Sequence, residues 1–352
     1  MLALLLACTP TDPAGVTAIN TSPLTASDTT DTATDTDTPT DTAPLPADGP
    51  NVLLVIADDL GIEGSACYEG LIDSERAPQP TIEGLCSQGL VFDAAWANPM
   101  CSPTRAAMLT GRSAWRNGIG FRLDENDPPL SMDEVTLPEA IDAAGIGYSH
   151  ANIGKWHLGS TRGADYPNRM GWGHFAGMLE GTPDTYTETW MKVVDGEEVA
   201  SSGYLTTETI DDALGWVEAQ DGPWVLWLAL NAPHSPFHAP PEDLHDYDLS
   251  GDPEDDVFSH YLAMVQAMDT ELGRLLSGID AQTLANTYII YVGDNGNSTI
   301  HAFSLDGEHL DWVPVGIASG SLTGIELDAE GRLYGIDTNA ERIFRLEEIP
   351  QE

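Results

Sequence analysis

Residues 51–57, NVLLVIA, are apolar at every position after Asn51 and rich in β-branched side chains. Such a segment has no face suited to water, so it fits a strand covered on both sides, as in a parallel sheet sandwiched between helices. WVLWLAL at 224–230 and TYIIYV at 287–292 repeat the pattern, and 147–153 is a fourth candidate strand. Helical periodicity occupies 137–144 and 260–277 between them. Alternating strands and helices predict a layered α/β fold, with ligands gathered beyond the carboxyl ends of the strands. With 352 residues, 41% of them hydrophobic, the chain has material for one large domain or two ordinary ones.

Charge and the first residues bear on where such a chain works. Asp and Glu number 57 against 13 Lys and Arg, a formal charge of -44. That field repels phosphate backbones and argues against nucleic-acid binding. MLALLLAC is apolar but too short to span a bilayer. It resembles the end of a bacterial lipoprotein signal, with residues 1–7 removed and lipid placed on Cys8. Residues 8–49 are rich in Thr, Asp, Ala and Pro, with no Lys or Arg, so they read as a disordered tether. A periplasmic or cell-surface protein with a lipid anchor is the expectation. In an oxidising compartment Cys67 and Cys86 could form a disulfide, although two separate buried thiols fit the sequence equally well.

The chemistry concentrates in CSPTRAAMLTGR, residues 101–112. Cys101 stands beside Arg105 at the start of a candidate helix, with Pro103 suited to its first turn. A helix N-terminus and a neighbouring guanidinium both favour negative charge at the cysteine. Four weaker motifs accompany it. ADDLG at 57–61 sets Asp58 and Asp59 after the first strand, where a plain cap is the commoner role. GKWHLG at 154–159 holds Lys155 and His157 two apart, on one face of an extended chain. NAPHSPFHAP at 231–240 puts His234 after another buried strand, and GDNG at 293–296 supplies Asp294 and Asn295, also readable as a turn.

Taken together and in this order, the five motifs resemble the sulfatases of the alkaline-phosphatase superfamily, of the formylglycine-dependent arylsulfatase type. The resemblance runs from Asn51 to about Asn297. It implies an alkaline-phosphatase-like α/β/α sandwich with a mainly parallel sheet over residues 50–297. It also implies conversion of Cys101 to formylglycine by a formylglycine-generating enzyme. Asp58, Asp59, Asp294, Asn295 and the modified Cys101 would hold one divalent cation, most often Ca²⁺, which all-oxygen ligands suit. Arg105 would stabilise the hydrated aldehyde, His157 would help expel sulfate, and Lys155 and His234 would grip sulfate and protonate the leaving oxygen. The substrate would be a sulfated glycan or an aryl sulfate. Phosphonate or phosphate ester hydrolysis with the same nucleophile is the alternative, as is an inactive, sulfatase-like surface lipoprotein.

Beyond GDNG the resemblance weakens. Such sulfatases add another sulfate-binding lysine, and this chain has none after Lys192. Residues 298–352 read instead as short strands between DG, EG and TN turns, and 322–346 resembles a blade of an NHL-type propeller. The expectation is therefore a sulfatase-like domain that is incomplete at its C-terminal side, followed by a short β-rich tail.

Overall fold

A computed structural model describes residues 49–68, 75–92, 95 and 97–294 in full. It describes the backbone alone at 4–7, 299–303, 309–314, 322–327, 333–337 and 342–345. Cys8, most of the 8–49 tether and Asn295 lie outside the described residues.

Nine strands form one sheet: β1 (Leu4–Ala7), β2 (Asn51–Ala57), β3 (Gly89–Phe92), β4 (Ser149–Lys155), β5 (His174–Met178), β6 (Trp190–Val194), β7 (Glu197–Ser201), β8 (Trp224–Ala229) and β9 (Thr287–Gly293). Their order is β3-β1-β9-β2-β8-β4-β5-β6-β7. The five central strands, β9 to β5, are parallel, and the outer strands pair antiparallel. All four strands read from sequence are present, within two residues of their expected ends.

Alternating residues of these strands enter two different cores, which is why they are apolar throughout. Leu53, Val55, Leu226 and Leu228 pack with Ile82, Ile210, Leu262 and Leu272 on one face. Those partners come from the helices Pro80–Gln88, Leu205–Glu218 and Val257–Gly278. Ile56 and Trp227 pack with Ala106, Leu109, Trp156 and Trp172 on the other face, where the helix Cys101–Thr110 lies. The result is the expected α/β/α layering.

Two local features close the frame. The helix Leu137–Ala144 starts at a capping box, in which Thr136 and Glu139 satisfy each other's backbone N–H, and it ends at left-handed Gly145. Cys67 and Cys86 are joined as a disulfide across 19 residues. Replacing both by serine should cost about 3 kcal/mol of stability by freeing the unfolded chain. Urea unfolding of the double variant, and of the parent under reductant, should show the same loss.

The apolar run expected as a leader supplies β1, whose Leu5 and Leu6 lie opposite Tyr291 and Ile290 of β9. A run this apolar suits the interior of a sheet, and here it pairs with β3 on one side and β9 on the other. The tail backbone forms a two-stranded and a three-stranded antiparallel sheet, both separate from the nine-stranded one.

Candidate active site

Each sequence-derived site residue that the structure describes lies just beyond, or at, the carboxyl end of a parallel strand or at a helix start. Asp58 and Asp59 follow β2, Asp294 follows β9, and Lys155 ends β4 with His157 two residues on. His234 follows β8, and Cys101 opens its helix. Because β2 sits between β9 and β8, the two Asp motifs meet although 235 residues apart: the Asp59 N–H donates to Asp294 Oδ1 at 3.2 Å. One oxygen from each of Asp58, Asp59 and Asp294 can be chosen so that all lie within 4.8 Å of one another.

Two buried cations face these carboxylates. Arg105 Nε donates to Asp294 Oδ2 at 2.6 Å, its Nη1 donates to the Lys155 carbonyl at 2.8 Å, and its Nη2 lies 3.5 Å from Asp58 Oδ1. Lys155 Nζ pairs with Asp58 Oδ2. Burial opposes the charge of both cations, yet the carboxylates around them outweigh it and hold their pKa values above the usual range. Asp294 is pushed up by burial, against the pull of Arg105. The floor thus carries three carboxylates against two cations, and Asp58 Oδ1 is buried without a hydrogen-bond partner. Three carboxylates left one cation short, with an orphaned buried oxygen, fit a hard divalent ion.

Cys101 is a free, buried thiol whose Sγ lies 3.1 Å from His157 Nδ1. His157 Nε2 lies 3.0 Å from the Leu123 carbonyl, so Nε2 carries the proton and Nδ1 is left to accept from residue 101. Burial, then Lys155 and Arg105, hold the imidazole well below its ordinary pKa, which keeps it neutral. The opposite holds for the thiol. Burial pushes it up to about 12, with Asp58, Asp294 and Asp59 adding to the effect against Lys155. For the unmodified thiol, burial outweighs the helix N-terminus that favours negative charge at this position. Arg105 is engaged by Asp294, and burial among carboxylates dominates.

Backbone strain marks the same place. Among the described residues three non-glycine positions have positive φ, and two of them are Asp59 (φ 61) and His157 (φ 52). Such conformations cost about 1–2 kcal/mol and persist where the surroundings impose them. Gly181 leaves room for the imidazole: a Cβ there would lie 2.3 Å from His157 Cε1. His234 Nδ1 donates to the Ser235 carbonyl at 2.7 Å, which turns Nε2 toward Asp59 Oδ2, 3.4 Å away.

Cys101, His157, Asp59 and His234 open into a cavity of about 460 Å³. Its walls include 122–125, Ser160 and 179–182, none of which the sequence singled out. Those loops carry no period or motif by which they could have been found.

Known proteins give this geometry a family. Residues 50–319 match the family profile described as Sulfatase. The chain is 28% identical over 283 residues to N-acetylgalactosamine-6-sulfatase of Rattus norvegicus, covering 72% of this chain and 51% of that protein. It is 29% identical over 214 residues to an arylsulfatase of Klebsiella aerogenes, covering 55% and 45%. The chain spans about half the length of the curated relatives it matches. Among solved structures, Ps i-CgsB in complex with k-i-k-neocarrahexaose superposes with a TM-score of 0.59 at 25% identity, covering 78% of this chain and 63% of that one. BT4656 in complex with its substrate D-Glucosamine-2-N, 6-O-disulfate shares the fold with a TM-score of 0.55 at 20% identity, covering 78% and 73%. The fold is the alkaline-phosphatase-like one of these enzymes, and the chain belongs to the sulfatase family.

Proposed function

We propose that the protein hydrolyses sulfate esters, with formylglycine made from Cys101 as nucleophile and one Ca²⁺ held by Asp58, Asp59 and Asp294. The observation that carries this reading is the placement of Cys101 Sγ against a neutral His157 at the cavity floor, beside three carboxylates and two buried cations. Sγ marks the position that the oxygens of the modified residue would take. As a thiol the side chain is a poor nucleophile there, since its pKa is pushed up to about 12. Modification removes that obstacle by replacing the group that must lose a proton.

Formylglycine, as its hydrate, supplies two hydroxyls on one carbon, one to attack sulfur and one whose deprotonation restores the aldehyde and releases sulfate. Ca²⁺, when bound, supplies positive charge to the sulfate and to the attacking oxygen. The remaining work belongs to the chain. His157 Nδ1 accepts a proton from residue 101, held in that tautomer by the Leu123 carbonyl. Arg105 keeps Asp294 and Asp58 fixed and adds positive charge beneath the site. Lys155 would offer ammonium protons to sulfate oxygens, and His234, which lines the cavity, would donate from Nε2 to the departing alcohol when its ring carries both protons.

N-acetylgalactosamine-6-sulfatase and arylsulfatase among the relatives support a sulfated sugar or aryl ester as substrate. Maturation by a formylglycine-generating enzyme, and a lipid anchor at Cys8 outside the cytoplasm, belong to the same proposal.

The full chain, co-expressed with the modifying enzyme and supplied with Ca²⁺, should release sulfate from an aryl sulfate. Chelation should lower the rate at least about 10²-fold, restored by added Ca²⁺. Absence of sulfate release from a chain proven to carry formylglycine would refute the reading. Faster cleavage of the matched aryl phosphonate would reassign the substrate.

A further inference from the structure

With a divalent cation bound, the floor of the cavity would suit one anion; its walls would not. Glu125 and Glu180 are exposed wall residues, and neither makes a hydrogen bond or ion pair with another described residue. The single cation among the described wall residues is Arg122, and it lies 3.6 Å from Asp124, a wall residue itself. Ser160, Thr182 and Ser235 complete the polar lining. Elsewhere four of the described cations are matched to carboxylates of the chain: Arg112 to Glu134, Arg169 to Asp165, Lys192 to Asp212 and Arg274 to Asp211. Arg116 and Arg162 are exposed, and neither lines the cavity. With 57 acidic residues against 13 basic ones, the long-range field has the same sign as the walls.

A ligand entering this cavity therefore meets two different environments. Its sulfate would sit against Cys101 and His157, with Arg105 and Lys155 buried behind them. Everything beyond the ester oxygen meets unpaired carboxylates and hydroxyls, which accept hydrogen bonds from hydroxyl groups and repel further anions. At low salt the Debye length is about 30 Å, so the walls act on a second charge on the same sugar, and added salt weakens that effect.

Building on the sulfatase reading, we infer that the cavity selects a singly sulfated, otherwise uncharged and hydroxyl-rich body, such as a neutral sugar monosulfate. It rejects polyanionic glycans. Glu125 and Glu180 are the specificity-determining residues, accepting hydroxyls of the sugar and opposing a second sulfate.

The test is calorimetric titration of the full chain with Ca²⁺, expressed without the modifying enzyme so that ligands are not consumed. The probes are a galactose monosulfate and the corresponding galactose disulfate. The monosulfate should bind at least about tenfold more tightly at low salt. In the Glu125→Gln/Glu180→Gln double variant the gap should shrink to within about threefold, and high salt should narrow it in the parent. Equal or tighter binding of the disulfate, a gap untouched in the double variant, or no binding of either sugar overturns the inference. Aryl sulfate turnover by the modified chain is scored separately. Discrimination without turnover strikes the hydrolase reading and leaves the charge selection standing, and turnover without discrimination does the reverse.

Discussion

Co-expressed with a formylglycine-generating enzyme, the reduced tryptic peptide covering 77–105 should lose one sulfur and two hydrogens and gain one oxygen. That change is the conversion of Cys101 to an aldehyde, and mass spectrometry reads it directly. Cys101→Ala should leave the peptide without it and lower sulfate release by about 10⁴-fold or more, the loss expected when a covalent nucleophile is removed. The parent expressed without the modifying enzyme should be as inactive. With burial pushing the thiol up to about 12, the unmodified side chain stays protonated near neutrality. Full activity in either preparation would mean that residue 101 is not the nucleophile.

Arg105→Ala should be the most destabilising single change in the site. Arg105 is 1% exposed and holds Asp294 and Asp58, which are equally buried. Removing it strands Asp294, while Asp58 keeps Lys155, a loss of about 3–5 kcal/mol. Arg112, paired with Glu134 at an exposed position, is the control: Arg112→Ala should cost less than about 1 kcal/mol. Urea unfolding in chelator compares the two. The pH dependence has a definite sign. Burial already raises the Asp294 pKa in the folded chain, and losing Arg105 raises it further. A group whose folded pKa is raised binds its proton more tightly in the native state, so its contribution falls as pH rises. The Arg105→Ala deficit should accordingly shrink as pH drops from neutrality toward the carboxylate range. A deficit independent of pH would show that lost packing, not stranded charge, sets the cost.

How far this was legible in the residues depends on burial. The runs at 51–57, 224–230 and 287–292 are recognisable because both faces of each strand enter a core. Glu197–Ser201 escapes notice because a largely exposed edge strand needs no apolar pattern. His157 and Lys155 were legible as a pair, but the turn between them was not. His157 has left-handed backbone and faces Cys101, whereas Lys155 pairs with Asp58. The thiol's surroundings were not legible from local sequence because its burial, and the charges of Lys155, Asp58 and Asp294, come from elements far along the chain. The cavity walls were invisible for a related reason: a loop's charge can be counted in the sequence, but not where it points.

The crossing of β9 beside β2 also sets a clock. Arg105 and Asp294 are 189 residues apart, so during synthesis Cys101 precedes the last carboxylate of its own site by roughly ten to forty seconds. Until β9 arrives, the central sheet lacks a strand and the helix bearing Cys101 has no Asp294 to anchor it. Afterwards residue 101 is 6% exposed and closed to any large enzyme. On the proposed maturation, a modifying enzyme would have to meet an unfinished chain. The pace of translation and of β9 docking, more than affinity for the native fold, would decide what fraction of the molecules ever acquires its nucleophile.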